Sequence, residues 1–289
     1  MREEIRLAGQ STTQEPEDVG AAEPLDPGLL HSTLSTQHFD VVRYQPRDEL
    51  RALLSHHAVL EWDLGEREGF TPKALDKPGS GIVWDKRGIT FHGPKTELYA
   101  YHMQGKGRIY GIKFSPAGAK VLIDRSMRGL VNEALPVQKA IRGWSAFIGI
   151  DPIEAADHIK TIRTLENQLL ECGLRPTAEQ ELADRVVRYV AEHPEVYTTG
   201  AVADQFGMHV RTLQLLISRQ IGPGIKWIIR QFRIFEAIKA LEAGERVDMG
   251  TLAFDLGYSS QSHFSNHFKA MTNTSPREYV RVNRSTGKT

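Results

Sequence analysis

Two stretches near the C-terminus carry side chains at helical spacing whose chemistry suits the edges of DNA bases. The first holds Arg211, Gln214, Leu215 and Ser218, and the second Gln261, Ser262, His263, Ser265 and Asn266. Arginine can grip guanine O6 and N7, and glutamine or asparagine can make paired bonds to adenine. Such contacts need a rigid carrier, and the flanking residues supply one. In runs 206–222 and 256–273 an apolar helix ends at a glycine (Gly207, Gly257) and a short polar turn follows. A second helix then carries apolar residues at i and i+4, Leu213 with Ile217 and Phe264 with Phe268. With those pairs turned inward, Arg211 and Leu215 lie about 200° round the helix and face out, with Gln214 and Ser218 on the flank. In the second copy Ser262 and Asn266 face out, while Gln261, His263 and Ser265 sit near the first turn or flank. A glycine free to take positive φ between helices that share an apolar seam is what a helix-turn-helix needs. Two in tandem predict one unit reaching two neighbouring major-groove faces.

The remaining elements must hold that unit. After Pro176 the sequence reads as helical almost throughout. A helix over 181–191 precedes the first motif, and a rod over 225–243, with Gly244 placed to stop it, leads to the second. A short helix over 276–282 closes the chain. Upstream, 151–173 has Ile153, Ala156, Ile159, Ile162, Leu165 and Leu169 at three- and four-residue steps, a helical linker with Asp151 as N-cap and Pro152 behind it. Residues 39–150 change period to short β-branched and aromatic runs, such as 59–62, 81–84, 89–91, 98–101 and 108–114, punctuated by glycine and proline. They predict a small, mostly antiparallel sheet or barrel, with a helix starting near Ala119. Residues 1–38 lack any sustained period and read as a disordered leader, and 285–289 as a tail. The fold class is therefore α+β in two domains: β-rich 39–150, linker 151–180, and all-α 181–284.

At 289 residues both domains can bury a core. Net charge is zero overall, yet residues 1–40 hold eight acidic and two basic side chains, and 184–289 hold fourteen basic and ten acidic. A mild cationic excess in the helical half is the electrostatic footprint of a nucleic-acid partner. The single cysteine, Cys172, excludes an intramolecular disulfide and a cysteine-based zinc site. No run approaches a membrane span and no basic-then-apolar signal opens the chain, so a cytoplasmic protein is expected.

Residues 181–281 resemble the DNA-binding domain of the AraC/XylS family of bacterial transcription regulators. The resemblance rests on Leu252, Ala253, Gly257, Tyr258, His263, Phe264, Ser265, Phe268, Lys269 and the run Ser275 to Tyr279. In the first motif it rests on Phe206, Gly207, Met208, Arg211 to Gln214 and Gly222, with Arg233 in the rod. The β-rich region is similar, more weakly, to the cupin-like or small β-domain of one branch, through Gly107, Arg108, Tyr110 to Pro116 and Gly118. The resemblance implies base reading from the outward positions named above. Lys269, Arg230, Arg277 and Arg281 are candidate phosphate contacts, which position a protein without reading sequence. It also marks departures. The family commonly places arginine at the positions of Leu215 and Asn266, so this chain should bind DNA modestly, with dimerisation or a ligand needed for tight binding. Leu215 can touch a thymine methyl or pack inward. His209 replaces the usual serine cap, Asn273 stands where glycine is usual, and Ser259 or Ser260 can cap the second reading helix.

Enzyme readings fail on spacing. His56 and His57 are adjacent and would point to opposite faces of a strand, no His-x-His pair accompanies His92 or His102, and no metal or cofactor is implied. The stretch 105–108 lacks phosphate-loop spacing and reads as a hairpin turn. Cys172 has no histidine partner for nucleophilic work. Trp62, Trp84, Tyr99, Tyr101 and Tyr110 could line a small-molecule pocket in the β-domain, or its core. The leading expectation is a sequence-specific DNA-binding transcription regulator. Its expected partners are double-stranded DNA, a small-molecule effector, a second copy in a homodimer, and RNA polymerase if it activates. The alternative is a ligand-binding or protein-interaction module whose DNA-binding half has degenerated.

Overall fold

Alternation along one long strand organises the N-terminal half. The computed structural model describes residues 29–286 apart from 67, 142–143, 145–150, 156 and 244–246. After a single helical turn, α1 (Ser32–Ser35), come β1 (Asp40–Tyr44), β2 (Leu54–Asp63), β3 (Lys73–Ala74), β4 (Gly81–Asp85), β5 (Gly88–His92), β6 (Tyr99–Ala100), β7 (Lys106–Phe114), β8 (Ala134–Pro136) and a turn of helix α2 (Val137–Ala140). Six strands form one antiparallel sheet in the order β1-β2-β7-β4-β5-β8, and β3 pairs with β6 as a separate ribbon. A register shift between Leu54 and His56 puts Leu54 on the same side as His57 and Val59. That face meets Tyr110, Ile112, Phe114, Ile82, Trp84 and Phe91 in the main core. The opposite face packs Trp62 and Ile109 against Tyr101, Met103 and Phe39, with the ribbon above it. Adjacent His56 and His57 thus face opposite sides, and among the described residues no cluster could hold a metal ion.

The linker helix α3 (His158–Glu171) is shorter than its periodicity suggests. It starts after Asp157, whose carboxylate accepts from Lys160 N–H at 2.9 Å. Asp151 accepts from Ile153 N–H in a turn of its own, so it does not cap the helix. Ala156 lies outside the described residues. The helix is pinned to the sheet by a fully buried carboxylate. Glu166 accepts from the Arg47 backbone N–H at 3.0 Å and lies 3.3 Å from His57 Nε2 and 3.2 Å from Arg163 Nη1. Burial alone would raise its pKa, but the bond to His57 and the Arg47 N–H outweigh it and hold it below the usual range. The expected helix near Ala119 is a 3-10 turn, Gly118–Leu122.

The C-terminal half is α4 (Ala178–Glu192), α5 (Thr199–Gln205), α6 (Val210–Gln220), α7 (Ile225–Glu242), α8 (Met249–Asp255), α9 (Gln261–Thr272) and α10 (Pro276–Thr286). Helix α4 opens on a capping box between Thr177 and Gln180, three residues before the apolar period begins. Gly244 lies outside the described residues. Valines of α4 pack with Leu213, Ile217 and Ile228 into one head, and Phe264, Phe268, Ile238 and Tyr279 form a second. No described helix is long and apolar enough to cross a membrane.

The two halves share surfaces that the sequence pattern does not announce. Ala117 is buried in the first head's core, and Asp184 of α4 accepts from Ala117 N–H at 2.7 Å. Leu30 and Leu75 are buried in the second head's core, and Gln231 of α7 donates to Asp76 O at 2.5 Å. Residues 29–38 therefore depart from the expected leader. Leu30 N–H donates to Lys73 O at 3.0 Å, and Ser32 Oγ donates to Glu242 at 2.9 Å. Leu30 supplies the apolar anchor that makes this order favourable. Residues 1–28 and 287–289 lie outside the described residues.

Candidate nucleic-acid interface

The two motifs share one turn geometry. In the first, Gly207 takes φ +60° and Met208 N–H donates to Ala203 O at 2.9 Å. In the second, Gly257 takes φ +69° and Tyr258 N–H donates to Ala253 O at 2.9 Å. Fifty residues separate each equivalent pair up to that point. The second turn then runs one residue longer, because α9 begins at Gln261 while α6 begins at Val210. The caps differ too. Ser260 Oγ accepts from His263 N–H at 3.1 Å, whereas His209 makes no side-chain cap. Asn273 ends α9 in the left-handed region at φ +60°.

Burial sorts α6 and α9 as the seam requires. Leu213 and Ile217 are fully buried, as are Phe264 and Phe268. Arg211, Gln214 and Leu215 are exposed and Ser218 half-buried, with Leu215 exposed to 53%, so it does not pack inward. On α9, Gln261, Ser262, His263, Asn266 and Lys269 are exposed and Ser265 half-buried. Arg230, Arg277 and Arg281 are exposed on α7 and α10, and Arg281 sits 3.9 Å from Glu278. The outer faces of α6 and α9 are thus exposed.

Arg233 is the joint between rod and second head. It is 9% exposed, donates from Nε to Leu256 O at 2.7 Å, and lies 3.8 Å over the Tyr258 ring and 5.0 Å from that of Tyr197. Tyr197, ahead of α5, donates to Asp255 O at 2.8 Å, and its ring leaves no room for a side chain at Gly257. One arginine and one tyrosine therefore tie both heads to one turn. Sequence reasoning had no signal for Tyr197, which sits outside any periodic run. Burial, with help from Arg230 and Arg233, depresses His267 to about 4, and its Nδ1 lies 2.6 Å from Tyr258 Oη.

The aromatic residues considered for a pocket separate. Tyr99 and Tyr101 line a cavity between the ribbon and the main sheet. Trp84 and Tyr110 are on the opposite face, packed against each other at 5.3 Å, and Trp62 is on the cavity side but buried against Tyr101. Strand parity decides this, since Trp84 and Tyr110 are out of phase with the cavity positions.

This geometry, paired short helices around a positive-φ glycine with polar outer faces, defines the helix-turn-helix class of DNA-binding domains. A helix-turn-helix domain family matches residues 202–281, and a domain of unknown function (DUF6597) matches 42–136. Among curated relatives, the HTH-type transcriptional activator RhaS of Escherichia coli O157:H7 is 33% identical over 78 residues, 27% of this chain and 28% of the relative. The chain thus spans under a third of the length of the curated relatives it matches. The C-terminal domain of AraT, a response regulator from Geobacillus stearothermophilus, is 22% identical, with 37% of this chain and 88% of that one covered and a TM-score of 0.33. ToxT from Vibrio cholerae is 14% identical, with 84% and 97% covered and a TM-score of 0.38.

Proposed function

We propose that the chain is a sequence-specific DNA-binding transcription regulator whose β-domain senses a small effector. The observation that carries the first half is the exposure of both reading faces on heads locked together through Arg233 and Tyr197. Arg211 and Gln214 serve the first groove, with Leu215 against a thymine methyl and Ser218 on the flank. Gln261, Ser262, His263, Ser265 and Asn266 serve the second, and Lys269, Arg230, Arg277 and Arg281 anchor phosphates. The protein works in the cytoplasm, where its DNA is. The matched relatives are activators, which supports RNA polymerase as its protein partner. Modest affinity per copy favours action as a homodimer.

Selection of bound sites from random DNA by the full-length protein tests this reading. A recurrent two-part sequence, with retardation that weakens steeply as salt rises, is the expected result. Equal retardation of random duplexes would mean that the heads no longer read DNA.

A further inference from the structure

The joint between rod and second head gathers cationic and proton-donating side chains without a counter-charge. Arg233 is the deepest of them, and its Nη2 is buried with no hydrogen-bond partner. Burial lowers its pKa, as it must for a cation that no carboxylate compensates. Arg230 stands one turn earlier on α7 and is exposed. Among the described residues, the groups whose charge acts on His267 are Arg230, Arg233 and His263, with no carboxylate among them. His267 itself is half-buried on the flank of α9, one turn beyond His263. Burial raises the Tyr258 hydroxyl to about 12, so it keeps its proton, and its Oη lies 2.6 Å from His267 Nδ1. The hydroxyl therefore donates, Nδ1 accepts, and the ring proton sits on Nε2. Nε2 has no partner among the described residues, which leaves a held, neutral N–H within reach of the Arg230 charge.

We propose that Arg230 and His267 Nε2–H together bind one phosphate group, that of the DNA backbone between the two half-sites. Tyr258 and Arg233 act behind them as positioning residues. A guanidinium beside a neutral N–H offers donors only, which suits an acceptor-only anion and repels a metal ion. Place selects backbone over base. His267 lies on the flank of α9, round from the outward Ser262 and Asn266, where a groove wall rather than a base edge is met. Arg230 lies on the rod that joins α6 to α9, so a duplex meeting both outer faces carries its backbone past it. Arg233 is too deep to touch the phosphate. It fixes the Tyr258 ring from 3.8 Å, and an arriving anion supplies the counter-charge that it lacks. DNA as the source of the phosphate rests on the regulator reading, whereas the phosphate site does not.

Titration of the full-length protein with inorganic phosphate, against chloride at equal ionic strength, tests the site without DNA. The His267 ring resonances should shift saturably, and Arg230→Gln should abolish the shift. Methylphosphonates placed one linkage at a time along a selected duplex test the source. One linkage between the half-sites should cost the unaltered protein roughly tenfold to a hundredfold in affinity, the factor for a hydrogen bond to a charged group. The same linkage should cost the Arg230→Gln, His267→Leu double variant nothing further. Salt separates the two contacts. Arg230→Gln should flatten the slope of log affinity against log salt by about 0.9, whereas His267→Leu should lower affinity at unchanged slope, because its donor is uncharged. His267→Gln, which keeps an N–H donor, should recover most of that loss; a role in packing alone would favour leucine instead. No saturable shift with phosphate, or a penalty that the double variant retains in full, overturns the proposal. Phosphate binding without retardation of any duplex would support the site and sink the regulator reading, so the two failures are distinguishable.

Discussion

The two heads share a turn and differ in almost everything the turn presents. The first offers an arginine, an exposed leucine and no side-chain cap, and its end docks on the β-domain at Gly222, where φ is +110° and any Cβ would lie 3.0 Å from Met127 O. The second offers a capped helix of neutral polar residues, and it leans on Leu30 and Leu75 from the N-terminal half. Turn geometry is a backbone property set by Ala203, Gly207 and their counterparts. The polar side chains proposed to read bases face away from it, so the two can diverge independently.

The sharpest way to break the pairing is at the joint. Arg233→Ala removes a charge-assisted bond to a buried carbonyl and two ring contacts, and should cost about 3 kcal/mol in urea unfolding. Retardation should then lose its two-part site requirement. Next come the reading residues. Arg211→Ala and Asn266→Ala should each cost about 1–3 kcal/mol and relax selectivity in different halves of the site, seen by repeating the selection with each variant. Relaxation in the same half would contradict the division of labour. The caps give a smaller contrast. Ser260→Ala should lower stability by about 1 kcal/mol, while His209→Ser should raise it by a similar or smaller amount. Restoring a cation with Leu215→Arg should steepen the slope of log affinity against log salt by about 0.9, one phosphate's worth.

Acid should separate the heads most gently. His267 is depressed to about 4 in the folded chain, so its contribution to stability is complete above its ordinary value near 6.5 and declines as pH falls toward 4. On α6 the equivalent position, fifty-one residues earlier, is the buried Leu216, which carries no titratable group. Hydrogen exchange should therefore show α9 amides opening between neutral pH and about pH 5 before those of α6, and His267→Phe should remove the difference.

Much of the C-terminal half was legible because it is locally encoded. Leu213 with Ile217, Phe264 with Phe268, and Gly207 with Gly257 are neighbours in sequence and in space, so spacing alone orients Arg211 and Asn266. Helix starts were less legible, since Asp151 and Asp157 are equally good caps and only packing of Ile162, Leu165 and Leu169 on the sheet selects the second. The pocket aromatics were legible as residue types but not as faces. A one-residue phase along β4 or β7 moves Trp84 and Tyr110 from the cavity to the core, and β-strand phase is set by pairing with distant strands.

What the chain determined by itself was local: two helix-turn-helix units, the rod between them, and the side chains on their outer faces. Periodicity and a left-handed glycine need no distant partner. Tertiary structure alone decided that Leu30 and Leu75 enter the second head, that Arg233 and Tyr197 share its turn, and that Lys113, Asp76 and Gln231 form one chain of contacts from cavity to rod. Those pairings join residues up to about 250 positions apart. Such pairings arise only when buried polar groups and apolar faces find partners in the folded chain.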